Sequence, residues 1–387
     1  MYEHLETSML VYYSILLSMI VCYATYWNIG EKKISCVQNR SIFLDWRYWI
    51  PCLLFTFLLG FRWNFAYDWN QYYNTFNYIQ HGKLYRDNTE VGYLAINYLL
   101  GHFGFNYYSI FILEAFLFYS SIFLLLKNNR KALLFGLCLA YIGMRFRMLN
   151  LSRQHFAMSI IWIAYYHLVN QRTKYFWIIA LMACTIHSSA IIWTIPFFFF
   201  NKIRKFFNFK IALIIYFACY IFKTYVFDYL ISLSDLVTMY IITEKSYTSE
   251  QMLSDTFNWE KITPWRMALN MVHGVTYIIC MYYCLSKDYV KDELDKNILY
   301  IGYIGLLLPI FGTSHEIVSR FMLYTTVFYY LGWGIFMSKL IINRNRVSRF
   351  VWILPVACIL HTLYGMKEVI NYEVSIGNFI QYKIGLF

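Results

Sequence analysis

Six arginines, Arg62, Arg145, Arg147, Arg153, Arg266 and Arg320, stand at the ends of long apolar runs, apart from the short links that hold most other basic residues. In membrane proteins Lys and Arg gather on the cytoplasmic side, which accounts for the links and predicts against these six. A guanidinium held at a membrane boundary against that bias calls for an anionic partner, and a phosphate suits it best. Its planar fork donates paired hydrogen bonds to a diphosphate and stays charged when partly desolvated. Between the arginines the chain carries Asp68, Tyr72, Glu90, Gln154, His187, Ser188, Ser189, His315 and Glu316. That set offers cations for a departing diphosphate, and carboxylates and imidazoles for proton transfer. Each member also has a structural reading. Arg62 can pair with Asp68, His187 can be a satisfied core histidine, and His315 with Glu316 can cap a loop. Arg145 and Arg147 are two apart on a helix, so at most one faces a pocket and the other snorkels to the interface. Glu114 and Lys223 lie within apolar runs, where a structural pair is the first reading.

The elements that must position these groups are set by composition. The 387 residues are 60% hydrophobic, 22% aromatic and only 14% charged, against about 25% charge in a soluble domain. The expectation is an all-α polytopic integral membrane protein, with 1–387 forming a single membrane domain and its Tyr, Trp and Phe forming interfacial belts. Apolar runs at 8–27, 47–62, 107–126, 132–147, 154–170, 174–186, 188–200, 209–230, 266–286, 297–313, 318–342 and 350–366 give about 12 transmembrane segments. Residues 92–104 read as a helix lying in the interface. Alternating these runs puts the basic links, such as Lys127–Lys131 and Lys202–Lys210, on one side. Both termini and the loops 62–91 and 231–265 then fall outside. The first run follows Glu3 and Glu6 with no basic residue before it, which predicts no cleavable signal peptide. The net charge of +12 is spread through short links, so no nucleic-acid partner is expected. The nine cysteines include no CxxC pair, and Cys280 with Cys284 share a helical face as packing residues.

One stretch strains this plan. Two full crossings need about 40 residues at about 1.5 Å rise each, and the chain between Lys174 and Lys202 is much shorter. The pair must be a short hairpin turning within the membrane, with His187 at its tip in a covered, partly wet place. No HExxH, P-loop, GxSxG or paired-acid metal motif occurs in the sequence, so no metal and no cofactor are expected. A substrate transformed on the outer side must arrive already activated, most naturally on a lipid diphosphate.

Five segments in order carry a resemblance. GFRWNFAYDWNQYYNTF at 60–76, TEVGY at 89–93, LSRQHFAMS at 151–159, CTIHSSAII at 184–192 and SRFMLY at 319–324 resemble the motifs of the EpsG family of polysaccharide polymerase-like membrane proteins. The resemblance implies a Wzy-like, metal-independent glycosyltransferase of the bacterial plasma membrane. Such an enzyme joins undecaprenyl-diphosphate-linked oligosaccharide units on the outer face during O-antigen, capsule or exopolysaccharide synthesis, with a chain-length regulator as a further partner. Matching positions carry over Arg62, Asp68, Glu90, Arg153, Gln154, His187 and Arg320. Arg145, Arg147 and Arg266 enter from topology alone, and Tyr72 from its place beside Asp68. His187 is the first choice of base, since imidazole titrates near neutrality, with Glu90 and Asp68 next. A polysaccharide ligase, a transporter of the lipid-linked unit and a membrane acyltransferase remain as alternatives.

Overall fold

A computed structural model describes residues 2–29, 44–63, 68–84, 89–150, 152–222, 264–312 and 316–347, with short pieces at 351–353, 355–356 and 383–384. The expected loop 231–265, the run 350–366, Lys223 and His315 lie largely or wholly outside these residues. The chain divides into two compact units, one of residues 1–199, 292–295 and 359–387, the other of residues 200–291 and 296–358.

The first unit opens with α1 (Tyr2–Ala24) and α2 (Trp46–Gly60). Asp45 starts α2 by accepting from the backbone N–H of Arg47 at 3.1 Å, the role that aspartate has before an apolar helical run. After α2, Arg62–Trp63 (β1) pair antiparallel with Lys383–Ile384 (β2). Then follow α3 (Trp69–Gln80), α4 (Val91–His102), α5 (Tyr108–Leu125), α6 (Leu133–Asn150) and α7 (Ser152–Val169). α8 (Thr173–Ile186) and α9 (Ala190–Ile203) close the series. α5 is the centre, packed on α2 at one side and α7 at the other, while α8 lies on α7 and α4 joins α3 to α8. Its buried face carries Phe111, Ala115, Phe118, Tyr119 and Ile122, with Phe118 stacked on Phe55 of α2 at 6.0 Å. Gly60 permits the close approach of α2 to α5: a Cβ there would sit 2.4 Å from the side chain of Ile112 and 3.0 Å from its Cα.

In the second unit α10 (Phe209–Phe222), α11 (Pro264–Ser286), α12 (Glu293–Gly312) and α13 (Glu316–Ile342) are joined by tyrosine hydroxyls. Tyr277 donates to the Leu299 carbonyl at 3.1 Å and Tyr303 to that of Ala212 at 2.8 Å. Each hydroxyl finds a backbone acceptor inside an apolar interface, which removes the cost of burying it.

The expected helices form at nearly the expected places, but length and apolarity qualify fewer of them as spans. Among the described residues, Tyr108–Leu125, Ala268–Ser286 and Phe321–Ile342 are long and apolar enough to cross a membrane, with a fourth if the pair Ala190–Phe206 and Phe209–Phe222, bent by 115°, counts as one span. The others fall short for simple reasons. α2 has 15 residues, about 22 Å of helix against a hydrocarbon core of about 30 Å, and α12 begins with Glu293, Asp295 and Lys296. The hairpin is as the spacing requires: α8 and α9 have 14 residues each and turn at 187–189. The segment 62–91, expected as a loop, contains α3. Its Trp69, Tyr72 and Phe76 are buried at helical spacing, a periodicity the polar residues between them obscure.

Candidate active site

His187 ends α8 in an extended conformation, φ −152° and ψ 121°, so its ring leaves the helix axis at the hairpin tip. Glu90 precedes the first turn of α4, also extended. The two meet because α4 lies close on α8: a Cβ on Gly92 would fall 2.7 Å from the backbone carbonyl of Thr185. His187 Nδ1 lies 2.6 Å from Glu90 Oε1, and the other carboxylate oxygen accepts from Arg153 Nη1 at 2.6 Å. One carboxylate thus bridges an imidazole and a guanidinium. Donation from Nδ1 to Glu90 leaves Nε2 as the basic nitrogen of the neutral ring. All three side chains keep some solvent access, 25% for His187, 19% for Glu90 and 20% for Arg153. Burial disfavours the Glu90 charge, yet the His187 hydrogen bond and the Arg153 guanidinium prevail and hold its carboxyl below the usual 4.5. The Arg153 guanidinium also stands 5.8 Å from the centre of the Tyr93 ring, and the Tyr72 ring lies 6.3 Å from that of Tyr93.

Behind this cluster a second pair is fully buried. Arg62 Nη2 lies 3.6 Å from Glu114 Oε2, each side chain 1% exposed. The guanidinium sits 4.1 Å over the Phe111 ring and donates from Nη1 to the Leu59 carbonyl at 3.0 Å. Ser152, the first residue of α7, donates its hydroxyl to Glu114. Trp69 Nε1 donates to the Arg62 carbonyl at 3.1 Å, tying α3 to the same place.

The segments that meet here come from residues far apart in the chain, and a family model described as EpsG family matches residues 45–384, which include all of them. The chain belongs to the EpsG family. It is therefore a polysaccharide polymerase-type, multi-pass membrane protein, related to the Wzy-like polymerases. No curated protein and no solved structure matches it.

Of the EpsG-like positions, the structure brings Glu90, Arg153 and His187 into direct contact, with Tyr72 beside them. Gln154 follows Arg153 and is buried. Asp68 stands just before α3, half-buried, and its charge acts on Tyr72. Arg62 faces Glu114, a partner that its structural reading, a pairing with Asp68, did not include, and Glu114 thereby has a cation other than Lys223. Arg145 and Arg147 lie on α6, Arg266 on α11 and Arg320 on α13, and their side chains are outside the described residues. Sequence reasoning missed Ser152 and the link from Glu114 to it. A lone carboxylate inside an apolar run was the only available signal, and it names no partner.

Proposed function

We propose that the chain polymerises undecaprenyl-diphosphate-linked oligosaccharide units at the outer face of the bacterial plasma membrane, with His187 as general base. The observation that carries this reading is Glu90, one carboxylate held between His187 and Arg153. A base needs an orienting partner, and a leaving diphosphate needs a cation close to that base. In the proposed step, His187 Nε2 takes the proton from a hydroxyl of the incoming lipid-linked unit. That oxygen bonds the anomeric carbon of the growing chain as the bond from this carbon to the lipid diphosphate breaks. The electron pair leaves on the diphosphate oxygen, where the remaining N–H groups of Arg153 stabilise the developing charge. A single displacement inverts the anomeric centre. Glu90 keeps the ring in the reactive tautomer and stabilises the imidazolium that forms. The family resemblance keeps Arg320, and the sequence pattern keeps Arg266 and one of Arg145 and Arg147, as further candidates for binding diphosphate. About twelve crossings, the short ones accommodated by local thinning of the bilayer, would leave this end of the first unit outside.

The test is purified protein given a synthetic undecaprenyl-diphosphate unit, with product length followed in time. Products of increasing repeat number are expected. Transfer of one block to an acceptor lipid would replace the reading with a ligase, and movement of the unit across vesicles without new bonds would replace it with a transporter.

A further inference from the structure

We propose that Glu114 is a positioning residue, which sets the aim of Arg153 on Glu90 through the hydroxyl of Ser152. The inference deepens the polymerase reading and rests on it for its purpose, though not for its test.

Three segments converge on the Glu114 carboxylate: β1, just after α2, through Arg62, α5 itself, and the start of α7 through Ser152. Arg62 is held in turn by the Leu59 carbonyl and the face of Phe111, one turn before Glu114 on α5. Ser152 and Arg153 are successive residues of one helix, so their side chains leave it about 100° apart. Fixing the first turn of α7 through Ser152 fixes the direction of Arg153, which reaches the opposite carboxylate, Glu90. The links form one chain, Arg62 to Glu114 to Ser152, then Arg153 to Glu90 to His187. Tyr72 and Tyr93 lie between the two halves: Tyr93 stands 5.8 Å from the Arg153 guanidinium, and the Tyr72 ring lies 6.3 Å from both Tyr93 and Phe111, which Arg62 covers. Stability alone is a poor reason for the inner pair. A buried ion pair gains little over apolar side chains of equal volume, and Glu114 Oε1 has no hydrogen-bond partner among the described residues. What the pair does supply is a rigid, directional anchor for the turn that carries Arg153.

Replacing Glu114 would leave Arg62 buried without its counter-charge and endanger folding. Ser152→Ala cuts the link and leaves Arg62 with Glu114, so it is the cleaner variant. The readout is the rate at which diethyl pyrocarbonate modifies His187 in the intact purified protein, measured by peptide mass spectrometry. Loosening Arg153 loosens Glu90 and frees the imidazole, so Ser152→Ala should speed His187 modification about fivefold, within the range of coupling between neighbouring groups. With Arg153→Lys already present, Ser152→Ala should add nothing. An unchanged rate in Ser152→Ala, or an equal further increase on top of Arg153→Lys, overturns the proposal. Because no sugar substrate is involved, a wild-type protein that makes no polymer would overturn the polymerase reading and leave this result standing. An unchanged His187 rate beside normal polymerisation would do the reverse.

Discussion

Two carboxylates of the first unit each gather several cationic or titratable partners, Asp45 at the start of α2 and Glu90 at the start of α4. Asp45, at its start, takes Arg130, the hydroxyl of Tyr26 at 2.6 Å and Arg47 at 3.3 Å. Arg130 is 0% exposed and Asp45 5%. Aromatic faces close the cluster, with Arg47 5.0 Å from the centres of Tyr26 and Trp46 and Arg130 5.7 Å from that of Phe123. Glu90, on the far side of the inner Arg62–Glu114 pair, takes Arg153 and His187, and each of the three stays about a fifth exposed. The chemistry of the pairs is alike, and the difference lies mainly in the partner that can change protonation. The Asp45 cluster has two permanent cations, Arg130 fully buried and Arg47 17% exposed, and no imidazole. The Glu90 cluster has an imidazole that can take a proton, and a guanidinium within reach of a bound anion. The Asp45 cluster ties α1, α2 and the turn before α6 together, whereas the Glu90 cluster holds a group that can exchange a proton.

If that contrast is right, the largest loss comes from the Asp45 cluster. Asp45→Ala leaves Arg130 buried without its counter-charge and should cost about 3–5 kcal/mol, seen as loss of folded, monodisperse protein in detergent. Normal thermal unfolding of that variant would mean that the cluster is not what holds these helices. Next is Glu90→Gln, which should fold yet turn over about 10²-fold more slowly, the scale of a disabled acid–base unit. It should also change the acid limb of stability. The lowered Glu90 carboxyl stabilises the fold fully above its ordinary 4.5, and this contribution is lost as pH falls through the lower folded value. Unfolding followed from neutral to acid pH should therefore fall less steeply in Glu90→Gln than in the wild type. Arg153→Lys keeps the charge and loses the fork, with an expected drop of about tenfold in polymer formed; wild-type chain lengths would reduce Arg153 to a point charge. Smallest in functional effect is the sidedness test, cysteines at exposed Asn70 and Asn128 in a background without native cysteines. An impermeant reagent on intact cells should label position 70 and not 128. Asn129, in the same link, is unsuitable because it is buried on Asp295 at 2.9 Å.

How much of this was legible in the sequence depended on whether a feature was local. Helix positions followed from apolar runs, and the hairpin followed from a length too short for two crossings. Glu90, Arg153 and His187 could be named because each sits in a segment with its own local pattern. Their joining through one carboxylate could not, since residues 90 and 187 meet only when α4 packs on α8. Partner choice was incomplete for the same reason: Asp68 is the nearest acid to Arg62 in the chain, while Glu114, far along the chain, comes within 3.6 Å because Gly60 lets α2 settle against α5. Asp45 did stand at a visible helix start, but nothing near it in sequence pointed to Arg130. α3 was hidden because Asn70, Gln71, Asn74 and Asn77 make a buried aromatic stripe look like a polar loop.

The central claim is that the Glu90 cluster reacts while the Asp45 cluster only holds. It is tested most directly by the turnover of His187→Ala, measured with purified protein and a synthetic lipid-linked unit beside its thermal unfolding and its affinity for that unit. The account predicts a fall in turnover of about 10²-fold or more, with unfolding and affinity close to wild type and no recovery in His187→Gln. Turnover within a few-fold of wild type in both variants would contradict it, making His187 a structural partner of Glu90.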